Sequence, residues 1–241
     1  MKPAHLLALG LILAASATSQ AASPGKAPAA RAPSHLAAAR DWSRTVVATP
    51  EGGFRMGNPN AQLKLVEFGS ITCNHCAAFN EEGGPTLRDS YVRSGRVSWE
   101  YRPHMVFPTD PGIFLLFDCL GPAGFFPASD RLYTQQGQWV GRLQQVPQAE
   151  LDRIQALPPQ QLTAALVRAT GVDQFFREHG LAPARVDACL ADEARLTRLV
   201  EVTRASRTAG VTGTPSFTIN GRLLDGVHGW DALEPFLKQG G

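Results

Sequence analysis

Leu63-Lys64-Leu65-Val66-Glu67-Phe68-Gly69-Ser70-Ile71-Thr72-Cys73-Asn74-His75-Cys76 is the stretch whose reading decides the fold. Its first seven residues form an apolar run of strand length and read as a buried strand. The two thiols that follow, two residues apart, can make and break one disulfide. If a helix starts at Cys73, its thiolate lies where unpaired backbone N–H groups and the helix dipole favour negative charge. In a helix-opening pair of this kind the first thiol is the exposed one and the second lies inside the first turn, which makes Cys73 the nucleophile. A histidine cation at His75 would stabilise the thiolate further. Two bland readings stand beside this one. A structural disulfide with an incidental histidine is the first, but so small a ring is more readily reduced than a long-range bridge. A zinc site is the second, and the other cysteines, Cys119 and Cys189, supply no second close pair for it.

The chain has 241 residues, 44% hydrophobic and 18% charged, enough for a sizeable core in one domain or a domain with an insertion. Its net charge is +2 with Lys and Arg scattered, which argues against a nucleic-acid surface. The first 21 residues read as a cleaved secretory signal. Lys2 is followed by a short apolar stretch over residues 6–15 and small residues at 19–21. That stretch is too short for the roughly 20 residues that span a bilayer; an uncleaved anchor or a buried helix is the alternative. Export would place four cysteines in an oxidising compartment. Four cysteines allow three pairings, and adjacency favours Cys73 with Cys76 and Cys119 with Cys189.

Residues 22–42, rich in Ala, Pro and Ser, read as a flexible tether. Residues 45–48 and 54–56 read as a short hairpin, and the strand at 63–69 follows a turn at 57–60. A helix from about residue 73 is expected to falter at Gly83-Gly84-Pro85, with a second helical stretch to Ser94, before a strand over 97–101. Six helices are expected over 112–120, 130–143, 148–156, 159–170, 173–178 and 183–207. Strand character resumes at Ser216–Ile219, Asn220-Gly221 is the dipeptide a two-residue hairpin turn prefers, and residues 230–238 close as a helix. Strand, helix, strand, helical block, hairpin, helix is the order of an α/β thioredoxin-like fold with an all-helical domain inserted after its second core strand. The thioredoxin-like part would comprise residues 43–110 and 210–241, and the insertion 111–209.

A second signal is Gly210-Val211-Thr212-Gly213-Thr214-Pro215, where a proline opens a strand, as a residue that cannot donate to the ladder must. Its bland reading is an ordinary turn. Together, residues 68–76 and 211–215 resemble the DsbA-like thiol:disulfide oxidoreductases of the bacterial periplasm, over roughly Thr45 to the C-terminus. The resemblance implies that Cys73 attacks or is attacked, that Cys76 resolves the mixed disulfide, and that Pro215 is cis and faces the pair. It also implies that the backbone at Thr214 pairs with a client peptide as an added strand.

Glu67 matches a buried acid of that family that serves proton transfer beneath the second cysteine; on the residues alone it either needs a partner in the core or faces solvent. Asn74 departs from the Pro-His dipeptide typical of the family's strong oxidases. It is the tuning position in a fold whose potentials run from about −120 mV to about −270 mV. Cys119 and Cys189 fall on expected helices, and some family members carry a second, structural disulfide there; two buried free thiols are the alternative. His104, His179 and His228 lack metal spacing, and Trp99, Trp139, Trp230, Phe125-Phe126 and Phe175-Phe176 read as packing residues. These readings add up to an enzyme without cofactor or metal that donates its Cys73–Cys76 disulfide to reduced, unfolded secreted proteins. Its partner would be a membrane reoxidant of the DsbB type, and it would act as a monomer. A reductase or isomerase kept reduced, or a non-catalytic peptide-binding or chaperone module using the same groove, are the rivals.

Overall fold

A computed structural model describes residues 40–239. The expected signal segment and most of the expected tether lie outside the described residues. After a 3-10 turn at Trp42–Arg44, the chain runs through β1 (Val46–Ala48), β2 (Phe54–Gly57), β3 (Leu63–Gly69), α1 (Asn74–Thr86), a π-type turn at Leu87–Val92, and β4 (Val97–Pro103). Eight helices follow: α2 (Asp110–Leu120), α3 (Pro122–Thr134), α4 (Gln136–Gln144), α5 (Gln148–Gln155), α6 (Pro159–Thr170), α7 (Val172–Glu178), α8 (Pro183–Leu190) and α9 (Glu193–Thr208). The chain returns to the sheet with β5 (Ser216–Ile219) and β6 (Arg222–Leu223) and closes with α10 (Trp230–Gln239). This is the thioredoxin-like fold with a helical insertion after the second core strand.

The six strands form one sheet in the order β1-β2-β4-β3-β5-β6, with β3 and β4 parallel and the other pairs antiparallel. Period-2 alternation places Leu63, Leu65 and Glu67 on one face of β3. Register puts Trp99 beside Leu65, Tyr101 beside Glu67, and Phe217 on the other side of Glu67. Aromatic rings cover that face: Phe125 stacks on Phe54 at 4.2 Å, Phe126 lies 4.8 Å from Trp99, and Phe79 of α1 lies 4.8 Å from Phe217. Glu67 is therefore the one acid in an aromatic layer roofed by α1 and α3. Phe125 and Phe126 thus pack the helical block onto the sheet rather than only onto itself, while Phe176 meets Phe117 edge-on within the block.

Three expected boundaries are corrected. The helix that carries the cysteines does not falter at Gly83-Gly84-Pro85 but runs to Thr86 and on into the π-type turn. Gly83 is buried against Trp230, whose ring a Cβ would approach to 2.3 Å, and Pro85 lies on the exposed side. Packing of the Trp230 ring on a flat glycine face outweighs the glycines' weak helix propensity. The expected helix at 130–143 is two: α3 starts at Pro122, which fits a first helical position, and breaks at Gln135 before α4. The expected helix at 183–207 also divides, because the Asp192 side chain accepts from the Arg195 backbone N–H and caps a new helix.

Candidate active site

Strand β3 ends at Gly69, and a turn closed by Cys73 N–H donating to Ser70 C=O (3.3 Å) delivers Cys73 as the N-cap of α1. Pairing of β3 with β5 places Ser216 beside Phe68, so the Thr214–Pro215 bond, which is cis, arrives next to the cysteines. The Cys73 thiol lies 3.3 Å from the Thr214 carbonyl, a contact between residues 141 apart in sequence. Cys73 is only 5% exposed and Cys76 not at all, and both are free thiols. The expectation of an exposed first thiol is therefore corrected: the Thr214-Pro215 loop lies over Cys73.

The electrostatics separate the two sulfurs. The Cys73 pKa falls to about 5. Hydrogen bonding from the Cys76 thiol is the largest cause, opposed by burial, and the Thr214 side chain and the backbone N–H groups of Cys76 and His75 add to the lowering. Cys76 moves the other way: burial, the hydrogen bond to Cys73 and the charges of Glu67 and Cys73 push its thiol well above the ordinary range. The result is a thiolate on Cys73 beside a thiol on Cys76 at neutral pH. The His75 ring is exposed, and the residue acts on Cys73 through its backbone N–H. Asn74 is exposed and lines a cleft of about 570 Å³ between α1 and α3, with Asn80, Arg88, Asp130 and Tyr133.

Glu67 is 1% exposed and accepts a 3.0 Å hydrogen bond from Trp99 Nε1. Burial pushes its carboxyl up to about 8 against that hydrogen bond, with help from the charges of Asp130 and Cys73. Glu67 is consequently a protonated acid at neutral pH, in electrostatic reach of both sulfurs. The solvent-facing alternative for this residue is excluded by its burial.

The sequence profile of the Thioredoxin family matches residues 49–239, which include β2, both cysteines, the helical block and the cis proline. The chain belongs to the thioredoxin family. Among solved structures, it is similar to a protein-disulfide isomerase from Novosphingobium aromaticivorans, at 33% identity and a TM-score of 0.72, over 77% of this chain and 95% of that one. It shares its fold with an α-DsbA1 of Wolbachia pipientis at a TM-score of 0.58 and 16% identity, over 80% of this chain and 92% of that one. A Rickettsia bellii protein with the provisional name protein-disulfide oxidoreductase is 24% identical over 173 residues, 71% of this chain. The match spans 58% of that relative's length, so the chain corresponds to little more than half of it.

Other residues of this thioredoxin-family site carry no motif and escape a reading of the sequence. The Gln136 side chain, at the start of α4, donates from Nε2 to the Ile71 and Cys73 carbonyls at 2.8 and 3.0 Å. Tyr133 donates to the Ser70 carbonyl at 3.2 Å and shares a 2.9 Å hydrogen bond with Tyr101. His228, which lacks metal spacing, places Nδ1 2.8 Å from the Pro215 carbonyl and so braces the cis-proline loop. Trp99 is in the core as expected and also serves Glu67. His104 is buried and shares a 2.7 Å hydrogen bond with Ser206. Cys119 of α2 and Cys189 of α8 are joined by a disulfide, 70 residues apart in sequence. Among the described residues no cluster of three or more His, Cys, Asp or Glu side chains has metal-holding geometry, and no helix is long and apolar enough to cross a membrane.

Proposed function

We propose that the protein is an exported thiol:disulfide oxidoreductase that oxidises thiols of secreted client proteins by donating its Cys73–Cys76 disulfide. The observation that carries this reading is the low-pKa Cys73 sulfur held against the Thr214 carbonyl of the cis-proline loop. A client thiolate attacks Cys73 Sγ, forming a mixed disulfide and expelling Cys76 as a thiolate. Glu67, protonated at neutral pH, gives that sulfur its proton. A second client thiolate then attacks the client sulfur of the mixed disulfide, and Cys73 departs as a stable thiolate. The client gains one disulfide and the enzyme takes up two electrons. A depressed pKa makes Cys73 a good leaving group, which favours this direction. Thr214 and Pro215 would hold the client backbone as an added strand. Asn74 would set where the potential falls, and Cys119–Cys189 would brace the helical block.

In this reading residues 1–21 direct export to the periplasm and 22–42 tether the catalytic part. Residues 43–110 with 210–241 form the thioredoxin-like domain, 111–209 the helical one, and a membrane protein of the DsbB type accepts the electrons. An isomerase reading draws on the name of the Novosphingobium relative. Mixing each variant with a reduced, unfolded secreted protein tests the proposal. Cys73→Ser is expected to abolish oxidation and trap no adduct, and Cys76→Ser, loaded beforehand as its Cys73–glutathione disulfide, to exchange glutathione for a client thiol and accumulate a Cys73-linked mixed disulfide. Full oxidation by Cys73→Ser would overturn it, and a wild type that binds the client without oxidising it would favour the binding-module reading.

A further inference from the structure

Asp110 has no part in the exchange chemistry, yet it is completely buried and is bonded from two sides. Its Oδ1 accepts from Ser70 Oγ at 2.9 Å, from Thr72 Oγ1 at 2.8 Å and from Thr72 N–H at 3.4 Å. Its Oδ2 accepts from Ser70 Oγ at 2.9 Å and from the backbone N–H groups of Val106 and Phe107 at 3.0 and 2.9 Å. Thr72 Oγ1 also meets Thr109 Oγ1 at 2.8 Å. Burial pushes the Asp110 carboxyl up, against the hydrogen bonds from Phe107, Val106, Thr72 and Ser70, and Asp110 opens α2, where the helix dipole favours negative charge. One buried carboxylate thus ties the turn that feeds Cys73 to the loop that leaves β4.

Ser70 is the point where this clamp meets the sulfurs. Its carbonyl accepts from the Cys73 N–H at 3.3 Å and from Tyr133 at 3.2 Å, its backbone N–H faces the Cys76 sulfur, and its hydroxyl belongs to Asp110. A rotation of Ser70 therefore moves the start of α1 and the donor to Cys76 together.

We propose that Asp110 is a positioning residue of the disulfide site: through Ser70 and Thr72 it fixes the turn that aims Cys73 at Thr214 and the Ser70 N–H at Cys76. The inference rests on the exchange chemistry proposed above for its meaning, but its test does not require a client. Burying a carboxylate without a counter-ion is costly, and removing it leaves the Val106 and Phe107 N–H groups and the Ser70 hydroxyl in want of an acceptor, while Thr72 Oγ1 keeps Thr109 Oγ1. Asparagine can take over most of these bonds. Its carbonyl can face the Val106 and Phe107 amides, and its NH2 can donate to the Ser70 and Thr72 hydroxyls, which turn to accept.

The test is a thiolate titration at 240 nm of the full chain reduced, with its equilibrium constant against glutathione, for the wild type, Asp110→Ala and Asp110→Asn. Melting curves select a temperature at which all three are folded. Glu67, the Cys76 thiol and His75 are the titratable groups beside Cys73, and they are the same in all three. Asp110→Ala is expected to raise the Cys73 midpoint by about one pH unit and shift the equilibrium constant about tenfold toward the disulfide. Asp110→Asn is expected to restore both to near wild type. Asp110→Ala that melts earlier but titrates like wild type would make the residue merely structural and overturn the proposal. So would Asp110→Asn that shifts as far as Asp110→Ala, since the hydrogen bonds that asparagine keeps would then not be what sets the thiolate. A wild type that titrates as a free cysteine would sink the oxidase reading, while the difference among the three proteins still judges the clamp.

Discussion

Glu67 shows what a single residue adds to a pair of thiols. Its neighbours on β3 are apolar, and alternation puts it on the same face as Leu63 and Leu65, so the strand that forms the core also buries the acid. The apolar neighbours were legible in the sequence, which left Glu67 either partnered in the core or facing solvent; the partner was not, because Trp99 comes from β4 and register alone brings the two together. The same holds for Gln136, Tyr133 and Asp110, which converge on residues 70–73 from three helices and carry no motif. The raised pKa of Glu67 has a consequence for stability. A group whose folded pKa lies above its unfolded value stabilises fully below the unfolded pKa and loses that contribution as pH rises through the folded one. Glu67 therefore favours the fold near pH 4 and withdraws that support between pH 4.5 and about 8. Glu67→Gln removes this dependence. Urea unfolding of wild type and Glu67→Gln is expected to show the variant gaining relative stability across that window, by up to about 5 kcal/mol as an upper bound from the size of the shift. Parallel curves would show that Glu67 ionises normally in the folded protein.

Among the elements, α1 is where local preference and tertiary packing disagree most. Two glycines and a proline in succession argue for a break, and the sequence was read so. Gly83 instead provides the flat surface on which the Trp230 ring rests, and Trp230 itself meets Tyr91 edge-on at 6.2 Å. The missing side chain is thus what docks α10 against the helix that carries both cysteines. Gly83→Ala improves helix propensity by about 1 kcal/mol but drives a methyl into the ring, and overpacking of this kind costs about 1–3 kcal/mol. A net loss of stability is expected in denaturant midpoints, together with a change in Trp fluorescence. A gain would show that the ring moves aside freely. The strands, by contrast, were legible almost to the residue, since period-2 alternation and the Asn220-Gly221 turn are local signals. The split of α8 from α9 was missed because the cap at Asp192 lies within a continuous run of helix formers.

At the scale of the whole molecule, Cys73 and Cys76 open α1 just after β3, whereas Cys119 and Cys189 join two helices of the insertion. The Cys119–Cys189 link closes a loop of 70 residues, for which loop-closure entropy alone corresponds to about 4 kcal/mol. Replacing both cysteines by alanine is expected to lower unfolding free energy by up to about that amount, while the Cys73 thiolate pKa stays unchanged. A shifted Cys73 pKa in that variant would couple the helical block to the chemistry. The order of strands and helices was enough to place the insertion, because a run of nearly a hundred residues without strand pattern cannot form the core of a sheet. Electron flow is a different matter, since it depends on the free energy of one thiolate and on Asn74, whose side chain is exposed at the mouth of the site.

The most direct test of the central claim, that Cys73–Cys76 is an oxidising pair, is its equilibrium reduction potential against glutathione, measured from pH 4 to pH 8. With Cys73 ionising near pH 5, the potential is expected to fall by about 60 mV per pH unit below that point and by about 30 mV above it, as one fewer proton accompanies the two electrons. At pH 7 it is expected to lie well above the roughly −270 mV of a reducing thioredoxin. A potential near that value, with no change of slope until the pH at which an ordinary cysteine ionises, would contradict the account.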